Sequence, residues 1–337
     1  YHYSTAHYTE PGIFSLVTGL DGFHYQPYAS AEAPVFSLKQ LRDSGFRLHA
    51  FASTQIRSWH AAEFFFDQFD DYREFVKHER FDRDDADLAR ALMEFAGSKR
   101  EHPFFMLAVL NSSHHNYPYP PEFEHFKPAV PENFDIDRIR EHNEWDALRN
   151  RYYNSLRYID SLLEQILVAF ESQIAAGELI VVFTSDHGEE FNERGLWGHI
   201  KINPYNEQMR VPLYFYLPGA AAPPQRLTSS SDIMPTIFEA MGLAGTNLPF
   251  NGKSLLRVLP EDRLITVMGL GFPLWGNLIT AIDTQAKIRF YRDDEFRAFT
   301  AGLITDLDDE PLSLGAEEIA RRERELREYV LRFLRPY

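Results

Sequence analysis

The sequence predicts an α/β protein of three layers, α/β/α, around a mostly parallel central sheet. A small C-terminal antiparallel β unit with a terminal helix completes it. Two observations carry this. Segments of helical period alternate with uniformly apolar runs as far as about Pro260, and strands apolar on both faces belong to sheets covered by helices. Beyond Pro260, short strand-like runs follow one another without helices between them, and an amphipathic segment ends the chain. Residues 1–259 therefore read as one large α/β core and residues 260–337 as a small subdomain.

The elements follow in order. Pro11 to Thr18 reads as a short helix closed by Gly19. Val35–Ser44 reads as helix, ending at Gly45, and Phe46–Ala52 as strand. Asp84–Ala96 is helical, and PFFMLAVL, Pro103–Leu110, is a continuous apolar strand. Trp145–Glu171 is the strongest helix, with Leu148, Tyr152, Leu156, Ile159, Leu163, Ile166 and Phe170 at helical spacing. Glu178–Thr184 and Val211–Leu217 are further apolar strands, and Ser231–Met241 is a helix closed by Gly242. Leu264–Leu270, Leu278–Ile282, Ala286–Tyr291 and Phe299–Thr305 form the antiparallel unit, and Ala316–Phe333 the final helix.

Composition bounds the function. The chain has 337 residues and a formal net charge of -16. That charge argues against a nucleic-acid partner, because phosphate backbones need basic surface. It is compatible with a bound divalent cation. Cysteine is absent, which removes thiol nucleophiles, thiolate metal sites and disulfides together. No segment approaches the roughly 20 apolar residues that span a bilayer, and the opening YHYSTAHYTE does not read as a signal peptide.

Four constellations could carry chemistry. Asp186-His187-Gly188 ends the apolar run VVFTS, and ligands of open α/β sheets bind beyond the carboxyl ends of strands. A carboxylate and an imidazole on the turn after a strand can converge on a metal, and Gly188 permits that turn. An ordinary polar strand end is the alternative. His199 lies twelve residues after His187 across a Gly-flanked loop that could fold back over the same site. His114 and His115 follow the PFFMLAVLNSS strand, and either could bind an anionic substrate or a metal. Finally, Thr9 precedes Pro11 at a helix start. A hydroxyl there faces the positive end of the helix dipole, which favours an alkoxide and an attached anion. A simple helix cap is the competing role for Thr9.

Taken in chain order, these segments resemble the alkaline phosphatase/sulfatase superfamily. TEPGIFSLVTG has the shape of the sulfatase signature C/S-x-P-x-R-x-x-L-x-T-G, with Thr9 at the nucleophile position and Pro11, Leu16, Thr18 and Gly19 in register. FTSDHGE resembles the second metal-binding motif, and GLWGHIKINPYNEQMRVPLYFYLPG the segment that follows it. SSSDIMPTIFEAMGL with NGKSLL resembles the closing helix and turn, and YYNSLRYIDSLLEQIL the long helix.

Two departures narrow the resemblance. The cysteine or serine that true sulfatases convert to formylglycine is Thr9 here, and the arginine of the signature is Ile13. A threonine nucleophile is similar to the membrane-anchored branch: phosphoethanolamine transferases, lipoteichoic acid synthases and the YejM/PbgA type, to which NSSHHNYPYPPEFEHFKP looks closest. The family also places an acidic metal ligand on a strand upstream of the nucleophile, so that ligand is expected from a part before Tyr1, together with transmembrane helices.

The resemblance implies a metal-dependent phosphoester hydrolase or phospho-group transferase, in the periplasmic part of a bacterial inner-membrane protein acting on envelope lipids or glycolipids. Thr9 would be the nucleophile, and Asp186, His187 and Thr9 would hold one divalent cation, Zn, Mn or Mg. His114 and His199 would serve catalysis on the substrate side, with His115 a further substrate-binding candidate. The implied partner is an anionic phospholipid or lipopolysaccharide-type ligand, with the membrane reached through the parent protein. The alternative from the same resemblance is a catalytically vestigial sensor of lipid or lipopolysaccharide that regulates the envelope. A secreted phosphodiesterase without a membrane parent is a third reading.

Overall fold

The computed structural model describes residues 1–57, 62–199, 205–243, 248–269, 278–292 and 299–333. The chain forms two compact units, Tyr1–Ser37 with Ile180–Tyr337, and Leu38–Leu179. The expected boundary at 259/260 falls inside the first of these. Leu270 in the expected strand, and residues 200–204 of the segment after His199, lie outside the described residues.

In the unit Leu38–Leu179, three strands form a parallel sheet in the order Asp71–Glu74, Arg47–Ala52, Phe104–Val109. Parallel strands need a crossover, and the helix Phe81–Gly97 supplies it between the two edge strands, Asp71–Glu74 and Phe104–Val109, that flank Arg47–Ala52. Phe51, Leu88 and Leu92 pack one core cluster beneath it. Ala89 of that helix packs with Tyr158 and Leu162 of the long helix Trp145–Ala169. The sequence missed the strand Asp71–Glu74, whose DYRE carries no apolar run; it forms because its backbone pairs with Arg47–Ala52.

The long helix begins where the apolar spacing predicts, but its buried face differs. Arg151, Asn154 and Ser155 are buried on it, while Leu156 is 37% exposed. Hydrogen bonding explains the exchange. Asn154 Oδ1 accepts the His125 and Phe126 N–H groups at 2.9 and 2.8 Å, and the Arg151 Nε–H donates to the Asn116 carbonyl at 2.7 Å. Buried polar groups so satisfied interrupt an apolar face that keeps Leu148 and Ile159 and adds Tyr158 and Leu162.

In the other unit, the helix Thr9–Thr18 ends at Gly19 in a left-handed conformation (φ 69°), with its N–H on the Ser15 carbonyl. Val181–Thr184 pairs antiparallel with Leu213–Tyr216, and His2–Tyr3 pairs parallel with Thr228–Ser229. Ser229–Asp232 form a capping box before the helix Ile233–Ala240. Asp232 is fully buried and takes a bidentate pair from Arg263 at 2.8 and 2.7 Å. It also accepts the Ser229 and Lys253 N–H groups.

The C-terminal strands Ile265–Gly269, Leu278–Ile282, Lys287–Arg292 and Phe299–Thr305 form one antiparallel sheet in that order. The helix Ala316–Phe333 covers it through Leu326 and Val330, against Met268, Ile279, Ile288 and Phe290. Ala6, Tyr8 and Phe23 join the same cluster. Ala6 bridges Met268 in a parallel ladder, and the Met268 N–H donates to the Thr5 carbonyl at 2.7 Å. The sheet is thus built onto the segment that leads into the Thr9–Thr18 helix.

Candidate active site

Thr9 opens its helix as the first helical residue. The capping residue is Tyr8, in extended conformation (φ -153°, ψ 161°), and no side chain caps the end. Thr9 is therefore no helix cap, and Pro11 sits in the first turn where a missing N–H costs nothing. The Thr9 hydroxyl goes elsewhere: its Oγ1 lies 3.2 Å from His187 Nε2.

Close backbone contact holds the helix start against the end of Val181–Thr184. A Cβ on Gly12 would lie 2.6 Å from the Asp186 carbonyl oxygen, so only glycine fits there. The Ser4 hydroxyl donates to that same carbonyl. Gly188 is required for a different reason from the one its sequence position suggests. It is absent from the positive-φ glycines, but a Cβ there would lie 2.1 Å from the Glu207 carbonyl oxygen. Its N–H donates to the Gln208 carbonyl at 2.8 Å.

The hydrogen bonds fix the imidazole. His187 Nδ1 lies 2.8 Å from the Gly188 carbonyl oxygen. A carbonyl only accepts, so Nδ1 carries a proton and donates it. In the neutral ring Nε2 is then a bare lone pair, facing Thr9 Oγ1 and 3.4 Å from Asp186 Oδ2. Two acceptors that close, a carboxylate oxygen and a ring nitrogen, call for a cation or a proton between them.

His199 returns to this place on a small hairpin, Glu190–Phe191 paired with Trp197–Gly198. Glu190, fully buried, organises the turn: its carboxylate accepts the Arg194 and Leu196 N–H groups at 3.1 Å and the Gln208 side-chain amide at 2.9 Å. The His199 ring stands 4.1 Å from that of His187, centroid to centroid. Its Nδ1 is 3.2 Å from Glu189 Oε2. Burial alone would lower the proton affinity of His199, but the hydrogen bond and charge of Glu189, with Asp186 and Glu10, raise it above the ordinary histidine value. Sequence reasoning passed over Glu189, although it directly follows the Asp-His-Gly turn.

Thr9, Asp186, His187 and His199 thus come together within one unit. His114 and His115 belong to the other unit, at the end of Phe104–Val109. Asp85 holds that strand end: its carboxylate accepts the Asn111 and Ser112 N–H groups at 2.8 Å and the Ser53 and Ser112 hydroxyls. Burial pushes the Asp85 carboxyl up to about 6 despite these bonds. His114 makes an edge contact with Phe81 at 5.9 Å, and His115 with Phe134 at 5.2 Å. Among the described residues no three His, Asp or Glu side chains form a metal-holding group.

The model of the sulfatase family matches residues 1–243. The chain belongs to the sulfatase family. This places it in the alkaline phosphatase/sulfatase superfamily, as the motifs indicated. Among curated relatives, it is 30% identical over 199 residues to an endo-4-O-sulfatase of Bacteroides thetaiotaomicron, covering 56% of this chain and 39% of that protein. It spans less than half the length of the curated relatives it matches. Among solved structures, it superposes on the lipoteichoic acid synthase LtaP of Listeria monocytogenes with TM-score 0.68 at 16% identity, over 98% of this chain and 81% of that one. The phosphonate monoester hydrolase of Agrobacterium radiobacter gives TM-score 0.68 at 16% identity, over 99% and 88%. These two share its fold. No helix among the described residues is long and apolar enough to cross a membrane.

Proposed function

We propose that this sulfatase-family chain carries a metal-dependent phosphoester hydrolase or phospho-group transferase centre with Thr9 as nucleophile. The observation that supports it is the Thr9 Oγ1–His187 Nε2 contact of 3.2 Å at an uncapped helix start. Asp186, His187 and Thr9 offer oxygen and nitrogen donors, and the facing acceptors of Asp186 and His187 fit a divalent cation such as Zn, Mn or Mg. When bound, such an ion supplies Lewis-acid charge that acidifies a hydroxyl and neutralises ester oxygens.

The chain's own groups do the rest. The Thr9 hydroxyl gives its proton to solvent and Oγ1 attacks phosphorus. One P–O bond forms to Thr9, and the bond to the leaving alkoxide breaks, the alkoxide taking its proton from water. Water, or a second alcohol in a transfer, then attacks the phospho-threonine and restores Thr9. His199, whose proton affinity Glu189, Asp186 and Glu10 raise against the effect of burial, offers its ring to the anionic ester. His114 and His115 are the proposed substrate-side groups of the other unit.

The wider setting rests on the relatives. The likeness to a lipoteichoic acid synthase supports an envelope substrate, an anionic phospholipid or lipopolysaccharide-type glycolipid. A periplasmic position in an inner-membrane parent belongs to the same reading. One carboxylate and one imidazole are fewer than a closed metal site uses. That observation favours a second reading, a vestigial lipid-sensing regulator.

One experiment separates them. The protein carrying this chain is assayed with bis(4-nitrophenyl) phosphate and 4-nitrophenyl sulfate across Zn, Mn and Mg, as wild type and Thr9→Ala. Phosphoester turnover that vanishes in Thr9→Ala supports the enzyme. Turnover undiminished in Thr9→Ala, or absent with every metal, sinks it.

A further inference from the structure

The unit Leu38–Leu179 contains a cavity of about 620 Å³ that the nucleophile site does not use. Its volume falls within the ~300–1,000 Å³ typical of small-molecule sites. Three arginines, Arg80, Arg83 and Arg151, and three carboxylates, Asp82, Glu124 and Glu132, line it.

Their partners are unequal. Arg80 is spoken for: it holds Asp82 through two bonds at 3.0 and 2.9 Å and also donates to Glu132. Arg151 is 5% exposed. Its Nε–H donates to the Asn116 carbonyl at 2.7 Å and its Nη1 to the Val130 carbonyl at 3.3 Å, and the guanidinium lies over the Tyr119 ring at 5.0 Å. Its Nη2 has only Glu132, at 3.8 Å, which is beyond hydrogen-bond reach. A guanidinium this buried with no close carboxylate is under-compensated. Burial and the neighbouring charge of Arg80 oppose its proton, while Tyr119 and Glu132 favour it. Arg83 is exposed on the same wall, and no ion pair or side-chain hydrogen bond engages it among the described residues.

The half-exposed Glu132 carboxylate therefore sits between two guanidiniums and satisfies only one. A tetrahedral oxyanion has more acceptor oxygens than a carboxylate and suits guanidinium forks. It would take the Nη2 protons of Arg151 in a cavity that Arg83 also lines. Pro120, Pro121 and Pro131 line the remaining space with rigid apolar surface, suited to the C–H faces of a ring or polyol.

We propose that this cavity binds the phosphate or sulfate ester of a sugar or polyol, the anion taking the place of Glu132 beside Arg151 in a cavity that Arg83 also lines. The inference does not depend on Thr9 or on turnover. The test is calorimetric titration of the protein at low ionic strength with glucose 6-phosphate, glucose 6-sulfate, glucose and inorganic phosphate. Arg83→Ala is the main variant, because Arg83 is exposed and its loss breaks no ion pair or side-chain hydrogen bond among the described residues.

One of the two glucose esters is expected to bind at one site per chain, more tightly than glucose or inorganic phosphate, and which of the two binds better identifies the anion. Arg83→Ala is expected to weaken binding about tenfold, as loss of a charge-assisted hydrogen bond does. Glu132→Gln, which removes the competing carboxylate, is expected to tighten it several-fold. Thr9→Ala, although it loses turnover, is expected to leave ester binding at this cavity unchanged. The proposal is overturned if neither ester binds, if Arg83→Ala leaves binding unchanged, or if Thr9→Ala abolishes it. Inorganic phosphate binding as tightly as the esters overturns the sugar assignment.

Discussion

The Thr9 hydroxyl oxygen and His187 Nε2 stand 3.2 Å apart, although 178 residues separate them in the chain. The contact exists because His187 Nδ1 is committed to the Gly188 carbonyl, leaving Nε2 as an acceptor in the neutral ring. A threonine without a capping role at a helix start then has one evident use for its hydroxyl. Thr9→Ala is expected to lower phosphoester turnover by about a thousandfold or more, with unchanged thermal stability. Thr9→Ser, which keeps the hydroxyl, retains measurable activity. Steady-state kinetics on both variants check this, and Thr9→Ala at wild-type rate would remove the nucleophile assignment.

Gly12 tests whether the helix start must touch the strand end. A methyl group at Gly12 would meet the Asp186 carbonyl at 2.6 Å, and backbone on both sides leaves little to give. Gly12→Ala is expected to cost about 1–3 kcal/mol, the range for overpacking. Turnover should fall as well, because Thr9 and His187 shift relative to each other. Chemical denaturation and kcat are measured on the same preparation. A variant as stable and as active as wild type would show that the contact is not needed.

The sequence made the architecture legible where hydrophobic period was strong. The strands Leu278–Ile282 and Phe299–Thr305 and the helix Ala316–Phe333 have the expected bounds. The Asp-His-Gly turn, Thr9 and His199 were visible because reactive residue types stand at element ends, and the structure gathers them. Less legible were features set by contacts distant in the chain. Gly188 is required by Glu207, not by its own turn. Arg151 is buried through carbonyls supplied by loops 35 and 21 residues away. Glu189 gains its meaning only once the hairpin returns His199 to it. No local pattern encodes such partners.

His24 predicts an acid limb of stability. Burial pushes its imidazole down to about 4 from 6.5, partly countered by a hydrogen bond with Asn251. Between those pH values the unfolded chain binds more protons than the folded one, so stability is full above about 6.5 and is lost as pH falls toward 4. The contribution is roughly 3 kcal/mol. Asp85 acts oppositely, since its carboxyl is raised to about 6 and folding favours its protonated form below that. The comparison must therefore be wild type minus variant. His24→Gln is expected to flatten the pH dependence of urea unfolding between pH 6.5 and 4, and parallel curves for the two proteins would refute the assignment.

Asp309 makes the last prediction, concerning the support of the site loop. It is buried, and its carboxylate accepts from Lys287, from Arg289 at 3.4 Å and from the Asn206 N–H at 2.8 Å. Lys287 and Arg289 are both fully buried, and burial pushes the Lys287 amine down to about 8 even with Asp309 beside it. The segment Asn206–Met209 fixed by this cluster is the one whose Gln208 carbonyl receives the Gly188 N–H. Asp309→Asn removes the carboxylate that both buried cations contact and is expected to cost about 3–5 kcal/mol. Lys287→Met alone, which lets Asp309 serve Arg289, is expected to cost less. Denaturation midpoints of the two variants decide the order. If Lys287→Met proved the more damaging, Asp309 would not be the centre of the cluster, and the buried amine would be holding Asn206 in its place.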